Sequence, residues 1–385
     1  MTSELPEYFT AELVREIEKR ASDPIPEEKF KELINHIDSL DEYLKNFVRH
    51  IANQEYKKDI FIVYLVYKSS SLDAFCYTTN KLDSKEKFDF IGISAGKISR
   101  LFDIFSSILS SKFSFVGYGK FDGKAEEPPP ILLFPSEKNT FEYNTPTCEI
   151  RLEYSKLLTV FALQYVLFHE VTHLMNGHLE WIRENRSRKT LADGLNNQET
   201  VDNAVEMQTL EIDADQGAIG RSLELAFSIM EGLNEIKGNL SETAYTAHEL
   251  AFGSEFRALR TTLYVGYILF RSEDMSKWDE RELLEKSHPR PLVRARYMAI
   301  RAIEFLSESK YKPQNLDALI NTAYLIIFEA EQDICRAVGR DSDKESFVNA
   351  LLSESAISHL ATINQCHLQM TPVLRANSRE VADDA

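Results

Sequence analysis

The stretch that decides the fold is LLTVFALQYVLFHEVTH, residues 157–173. Its first twelve residues are apolar apart from Thr159 and Gln164. A long apolar run without glycine or proline predicts a buried helix, and this run is shorter than the ~20 residues needed to cross a bilayer. We therefore expect a core helix that holds its polar end rigidly in a partly dry place.

That polar end carries the pattern His169-Glu170-Val171-Thr172-His173. Four residues advance a helix by ~400°, so both imidazoles project from one face about one turn apart. This spacing lets two ring nitrogens reach one zinc ion at ~2.0–2.1 Å. Glu170 follows the first histidine directly and can take a proton from a metal-bound water. The alternative is two hydrogen-bonded histidines on a half-buried helix.

Two histidines leave a zinc site one protein ligand short. If one helix continues to residue 185, His178 points ~140° away from His173, which favours a surface or cap position for His178. Further along, residues 210–216 read LEIDADQ, with Glu211 and Asp215 on one helical face. One carboxylate could bind zinc while the other orients a ligand histidine. A solvated acidic face is the alternative.

The pairing of HEVTH (169–173) with EIDAD (211–215) resembles the gluzincin metallopeptidases of the HtpX and CAAX-prenyl-protease type. In that family HExxH is followed by E-x-E-A-D or a close variant. The resemblance implies that Glu211 is the third zinc ligand. It also implies that Asp215 contacts a ligand and orients it without binding the zinc itself. Asp213 stands where the family usually has glutamate.

Further fragments resemble the same family in the same order. Residues 73–75 (DAF) resemble its N-A-F strand, with Asp73 in place of asparagine, and residues 90–101 resemble the following strand and helix start. Residues 287–294 (SHPRPLVR) resemble its T-H-P-x-x-x-x-R segment. By this resemblance His288 stabilises the transition state or gates the cleft, and Arg294 is a structural or oxyanion-side partner. A helix-entry histidine without a catalytic task is the alternative for His288.

Around these motifs the sequence predicts an α+β fold that is mostly helical. Runs rich in β-branched and aromatic residues predict strands at 59–67, 72–79 and 88–94. Residues 10–53 and 97–109 have helical patterns, and residues 111–148 form an irregular insertion. Further helices are expected at about 155–185, 198–231, 242–272, 290–309, 315–336 and 343–366. The expected architecture is a zincin-like minidomain, with a small β-sheet followed by the active-site helix and a helical body.

Three segments are expected along the chain. Residues 1–54 form an N-terminal helical segment, and residues 55–310 form the metallopeptidase domain with its insertion. Residues 311–385 form a C-terminal helical extension that ends in a loose tail from Pro372 onward.

Charge and cysteine content narrow the class of protein. The 385 residues carry a formal net charge of −17, which disfavours nucleic acids and anionic membranes as partners. Residues 1–7 do not read as a signal peptide, and the four cysteines form no CxxC pair, which argues against a disulfide framework or a cysteine zinc site. We expect a soluble, cytoplasmic protein with one zinc ion per chain and a protein or peptide substrate.

The expected function is that of a zinc-dependent endopeptidase with restricted intracellular substrates. A second possibility is a peptidase-like regulator of one partner protein in stress or phage defence, since the chain is also similar to phage-exclusion HExxH peptidases. The third is a non-catalytic helical interaction protein. Zinc content separates the third from the others, and digestion of generic unfolded protein separates the first two. A strand at 72–79 or 88–94 lying at the sheet edge could pair with a substrate backbone.

Overall fold

The computed structural model describes residues 11–21, 40–55, 60–80, 87–119, 127–131, 144–186, 190–192, 201–284 and 288–379. Within these ranges the chain is mostly helical and has one small sheet, so the α+β, mostly helical class is confirmed. The predictions made for residues 1–10 and 22–39, for Asp59, for 120–126 and 132–143 of the insertion, for 198–200, for Ser287, and for 380–385 lie outside the described residues.

The chain divides into two compact units. The first unit comprises Met1–Ser99, Val166–Asn197 and Asn364–Ala385, and the second comprises Arg100–Tyr165 and Gln198–Ile363. Each unit is therefore assembled from stretches that are distant in sequence, and the first needs three of them.

The sheet of the first unit contains β1 (Ile60–Tyr67), β2 (Ala74–Asn80), β3 (Lys87–Ser94) and β4 (Thr190–Ala192). The strand order is β1-β3-β2-β4. β1 and β3 are parallel, and β2 is antiparallel to both β3 and β4. The three predicted strands are confirmed to within two residues. The expectation that β2 or β3 forms a sheet edge is wrong, because both have a neighbour on each side.

Two N-terminal helices belong to the same unit, α1 (Ala11–Arg20) and α2 (Leu40–Glu55). Leu13 of α1 joins an apolar cluster contributed mainly by the strands: Tyr67, Phe75, Tyr77, Phe88 and Phe90. Arg20, at the end of α1, donates a 2.7 Å hydrogen bond to the carboxylate of Asp73, just before β2. The large apolar side chains that alternate along β2 and β3 thus pack on the apolar face of α1.

α3 (Ala95–Ser110) begins directly after β3. The hydroxyl of Ser94 accepts a hydrogen bond from the backbone N–H of Lys97, which caps the new helix. A Cβ on Gly96 would lie 2.3 Å from the carbonyl oxygens of Ser70 and Ser71. The strand-to-helix junction therefore requires glycine because the backbones approach so closely there.

The apolar run lies on α4 (Glu149–Met175), and α5 (His178–Arg186) follows it. The predicted single helix over 155–185 is wrong, because Gly177 adopts φ +75° and breaks the helix. Glycine tolerates this left-handed conformation, which commonly ends a helix.

Among the described residues, α4 is the one helix long and apolar enough to cross a membrane by length and composition, and 89% of its apolar window is buried inside the protein. Such burial is typical of the core helix of a soluble protein.

The remaining helices are α6 (Val201–Ile236), α7 (Glu242–Phe252), α8 (Glu255–Glu273), α9 (Pro291–Glu308), α10 (Leu316–Ala337), α11 (Lys344–Leu352) and α12 (Glu354–Asn377). Two predicted single helices are each split at a serine. Ser254 caps α8 by accepting from the N–H of Arg257, and the hydroxyl of Ser353 accepts from the N–H of Ala356. The loose tail expected from Pro372 is wrong as far as Arg379, because α12 continues to Asn377 and Arg379 is buried.

Candidate metal centre

The two histidines of the HEVTH pattern lie on the last turns of α4, in the first unit. Both are buried, and their Nε2 atoms are 3.0 Å apart. Two nitrogens bound to one tetrahedral zinc at ~2.0–2.1 Å would be about 3.3 Å apart. The predicted convergence of His169 and His173 is therefore present, and the spacing fits a shared metal ion.

Glu170 follows His169 on the same helix and is also buried, with 2% of its surface exposed. One residue advances the helix by ~100°, so Glu170 lies beside the face that carries the two imidazoles. Burial of a carboxylate is unfavourable unless polar partners compensate for the lost hydration. The residue predicted to act as the general base thus lies in a dry position next to both histidines.

The surface position predicted for His178 is wrong. It is fully buried, and its Nδ1 is 2.7 Å from Nδ1 of His173. The ~140° argument fails because α4 ends at Met175 and the chain turns at Gly177. His173 therefore has one imidazole at each of its ring nitrogens, with His169 at Nε2 and His178 at Nδ1.

The second unit carries the acidic pair on α6. Glu211 and Asp215 are both buried, so the alternative of a solvated acidic face is wrong. Asp215 accepts two hydrogen bonds from Arg294 of α9, at 2.8 Å from Nε and 2.9 Å from Nη2. Arg294 also donates to Glu273 at 3.1 Å. These two charge-assisted hydrogen bonds compensate the buried carboxylate for the water that it has lost.

His288 lies just before α9, whose first residue is Pro291. Its Nδ1 is 3.5 Å from Oε2 of Glu211, and its side chain is 18% exposed. His288 and Arg294, both from the SHPRPLVR segment (287–294), thus lie close to the two buried carboxylates of α6. Glu211 meets the histidine, whereas Asp215 meets the arginine.

A residue that the sequence analysis did not single out is Tyr165, one helical turn before His169. Burial, and then the charge of the Asp215 carboxylate, raise the pKa of Tyr165 well above its ordinary value, so this phenol stays protonated. Helical spacing from His169 is the signal that could have indicated it.

His169, His173 and Glu211 form a buried group in which one ligand atom of each residue lies within 4.8 Å of the others. This group could hold a metal ion. Two neutral imidazoles and one carboxylate are a donor set that zinc accepts in catalytic sites with three protein ligands. The residues present therefore fit a divalent transition metal, and their chemistry leaves its identity open.

No protein-family model matches the chain. No curated protein and no solved structure matches it either. The resemblance to gluzincin peptidases therefore rests on sequence motifs alone.

Proposed function

We propose that this protein is a cytoplasmic, zinc-dependent endopeptidase of the gluzincin type, with restricted intracellular protein substrates. One observation carries the proposal, namely the buried group of His169, His173 and Glu211 with Glu170 beside it.

In this proposal His169, His173 and Glu211 hold the metal. When bound, zinc supplies Lewis acidity that activates a water and polarises the scissile carbonyl. Glu170 accepts the proton of the attacking water and later delivers it to the leaving amine.

Arg294 of α9 and His288, just before that helix, support the proposed site. Arg294 neutralises Asp215 through two hydrogen bonds and so fixes α9 against α6. His288, 3.5 Å from Glu211, is the candidate donor to the oxyanion that develops on the substrate carbonyl.

The first test is the zinc content of the purified protein, measured by elemental analysis. We expect about one zinc ion per chain in the wild type. His173→Ala and Glu211→Ala should each lose it, because each removes one of three protein ligands. If the wild type holds no zinc even after reconstitution, the proposed peptidase activity is wrong, and a non-catalytic helical interaction protein is the better interpretation.

The second test uses Glu170→Gln, which keeps the shape of the side chain but removes the base. Zinc should remain bound while hydrolysis falls by about 10²–10⁴-fold, the usual contribution of a general base. Because the substrate is unknown, we would compare wild type and variant on casein and on a peptide library derived from a whole proteome, with new N-termini read by mass spectrometry. Full activity of Glu170→Gln would overturn the mechanism. Cleavage of a few library sequences but not casein would favour the regulator of one partner.

A further inference from the structure

The junction between α4 and α5 places the side chain of His178 against His173, near the end of α4. α4 ends at Met175, Gly177 adopts φ +75°, and α5 begins at His178. A Cβ on Gly177 would lie 2.7 Å from Cβ of Asn377, so the turn is packed tightly from outside. His178, the first residue of α5, is fully buried and stands five residues after His173.

Both ring nitrogens of His173 lie within hydrogen-bond distance of another imidazole. Its Nε2 faces His169 at 3.0 Å, and its Nδ1 faces Nδ1 of His178 at 2.7 Å. A neutral imidazole that offers its Nε2 lone pair to a metal carries its proton on Nδ1. That proton must be donated to Nδ1 of His178, whose own proton then resides on Nε2.

We propose that His178 is the positioning residue of the metal centre. It accepts the Nδ1–H of His173, which fixes both the orientation of that ring and the tautomer that turns the Nε2 lone pair toward the metal. Partners of this kind normally tune the affinity of a ligand histidine, and their loss typically costs 10–100-fold in metal binding. The inference rests on the proposed metal site, but it assigns His178 a role outside the set of metal ligands.

Two variants of His178 distinguish between two roles of its side chain, which are to accept the hydrogen bond from His173 and to fill space. In His178→Asn the side-chain oxygen can take the place of ring Nδ1 and accept the same bond. His178→Leu has a similar branched shape but no acceptor. His248→Leu is the matched control, because Nδ1 of His248 bonds to the carbonyl of Ala244 in its own helix.

The readouts are the zinc dissociation constant, from competition with a chromophoric chelator, and the visible spectrum of the cobalt-substituted protein. We expect His178→Leu to bind zinc about 10–100-fold more weakly and to shift the cobalt bands. His178→Asn and His248→Leu should stay close to wild type in both readouts. Circular dichroism and thermal unfolding of the metal-free forms show whether each variant is folded.

Two results would overturn the inference. One is zinc affinity and a cobalt spectrum of His178→Leu equal to those of the wild type. The other is an equal loss in His178→Asn and His178→Leu, which would mean that the imidazole only fills space. If the wild type itself binds no zinc, the proposed function fails, and that failure is visible without any variant of His178.

Discussion

At the scale of single residues, the ion pair of Asp215 with Arg294 shows how the second unit keeps a charge in its interior. Asp215 is completely buried, and both of its oxygens accept from one guanidinium. The same guanidinium lies over the ring of Phe270, 4.1 Å from its centroid. Planar arginine suits this combination of a two-bond carboxylate contact and a stacked ring, and lysine does not.

Arg294→Met should lower the free energy of unfolding by about 3–5 kcal/mol, because it leaves the buried carboxylate of Asp215 uncompensated. Urea denaturation of the metal-free protein measures this. Adding Asp215→Asn should restore much of the loss, since both charges are then gone. Arg301→Met is the control, as Arg301 pairs with Glu304 in an exposed i,i+3 contact worth about 0–1 kcal/mol. Equal losses in the two single variants would contradict the argument.

The local part of the metal centre could be predicted from sequence, because it depends only on helical periodicity. His169 and His173 converge as their spacing requires, and Glu211 and Asp215 lie buried on one helix. The partner of Asp215 could not be derived from spacing, since Arg294 stands 79 residues further on. The position of His178 was missed because a helix pattern does not show where the chain turns.

At the scale of elements, the end of α4 depends on a glycine in a left-handed conformation. The sequence contains that glycine, but a local pattern shows neither its φ of +75° nor its packing against Asn377, which lies 200 residues further on. Predictions of helix ends from local patterns fail at such points, because tertiary contacts decide whether a helix continues. The splits at Ser254 and Ser353 have the same origin, since serine only caps a helix if the chain turns there.

Gly177→Ala should destabilise the metal-free protein by roughly 1–2 kcal/mol from the left-handed backbone alone, and the contact with Asn377 adds to the loss. Zinc affinity should fall with it, because His178 is displaced. Gly220→Ala in α6 is the matched control, where a Cβ meets nothing within 4 Å and alanine should stabilise the helix by about 0.5–1 kcal/mol. Opposite signs are expected in the same denaturation experiment, and like signs would refute the strain at Gly177.

Arg379, just beyond α12, holds several elements of the first unit together. Its guanidinium donates to Asp89 of β3 at 2.6 Å, to the hydroxyl of Thr78 in β2 at 3.1 Å, and to Glu180 of α5. Its backbone N–H donates to the carbonyl of Met175, at the end of α4, at 2.8 Å. One residue thus contacts the sheet and both helices that carry the histidines.

Arg379→Met should cost about 3–5 kcal/mol of unfolding free energy, because Asp89 is completely buried and would lose its cation. Thermal or urea unfolding measures the loss. Arg375→Met, on the exposed side of α12, should lie within about 0.5 kcal/mol of wild type. A near-neutral Arg379→Met would show that Asp89 and Glu180 find other partners.

At the scale of the whole molecule, class and order of elements could be predicted, whereas pairing and assembly could not. Hydrophobic patterns located three strands and most helices, because those patterns are local. They do not determine that β3 lies between β1 and β2, or that the short β4 joins β2. They also do not reveal that the first unit draws on three separate stretches of the chain.

If the proposed centre binds a metal ion, removal of that ion should lower the free energy of unfolding of the protein. A ligand that binds only the native state adds about 2.7 kcal/mol of stability at a free concentration of 100 times its dissociation constant. A chelator should therefore lower the melting temperature of the wild type, and added zinc should restore it. Glu211→Ala is the control and should respond to neither. An unchanged melting temperature in the wild type would argue against metal binding.

The bond between Asp89 and Arg379 joins residues 290 positions apart, and this has a consequence for synthesis. A ribosome makes β3 long before it makes the arginine that the carboxylate of β3 requires, so the growing chain cannot finish the first unit in the order in which it emerges. Contacts this distant in sequence also form slowly. The carbonyl of Met175, at the end of the helix that bears His173, accepts its hydrogen bond from the N–H of Arg379, so this end of the helix is without that contact until residue 379 has been translated.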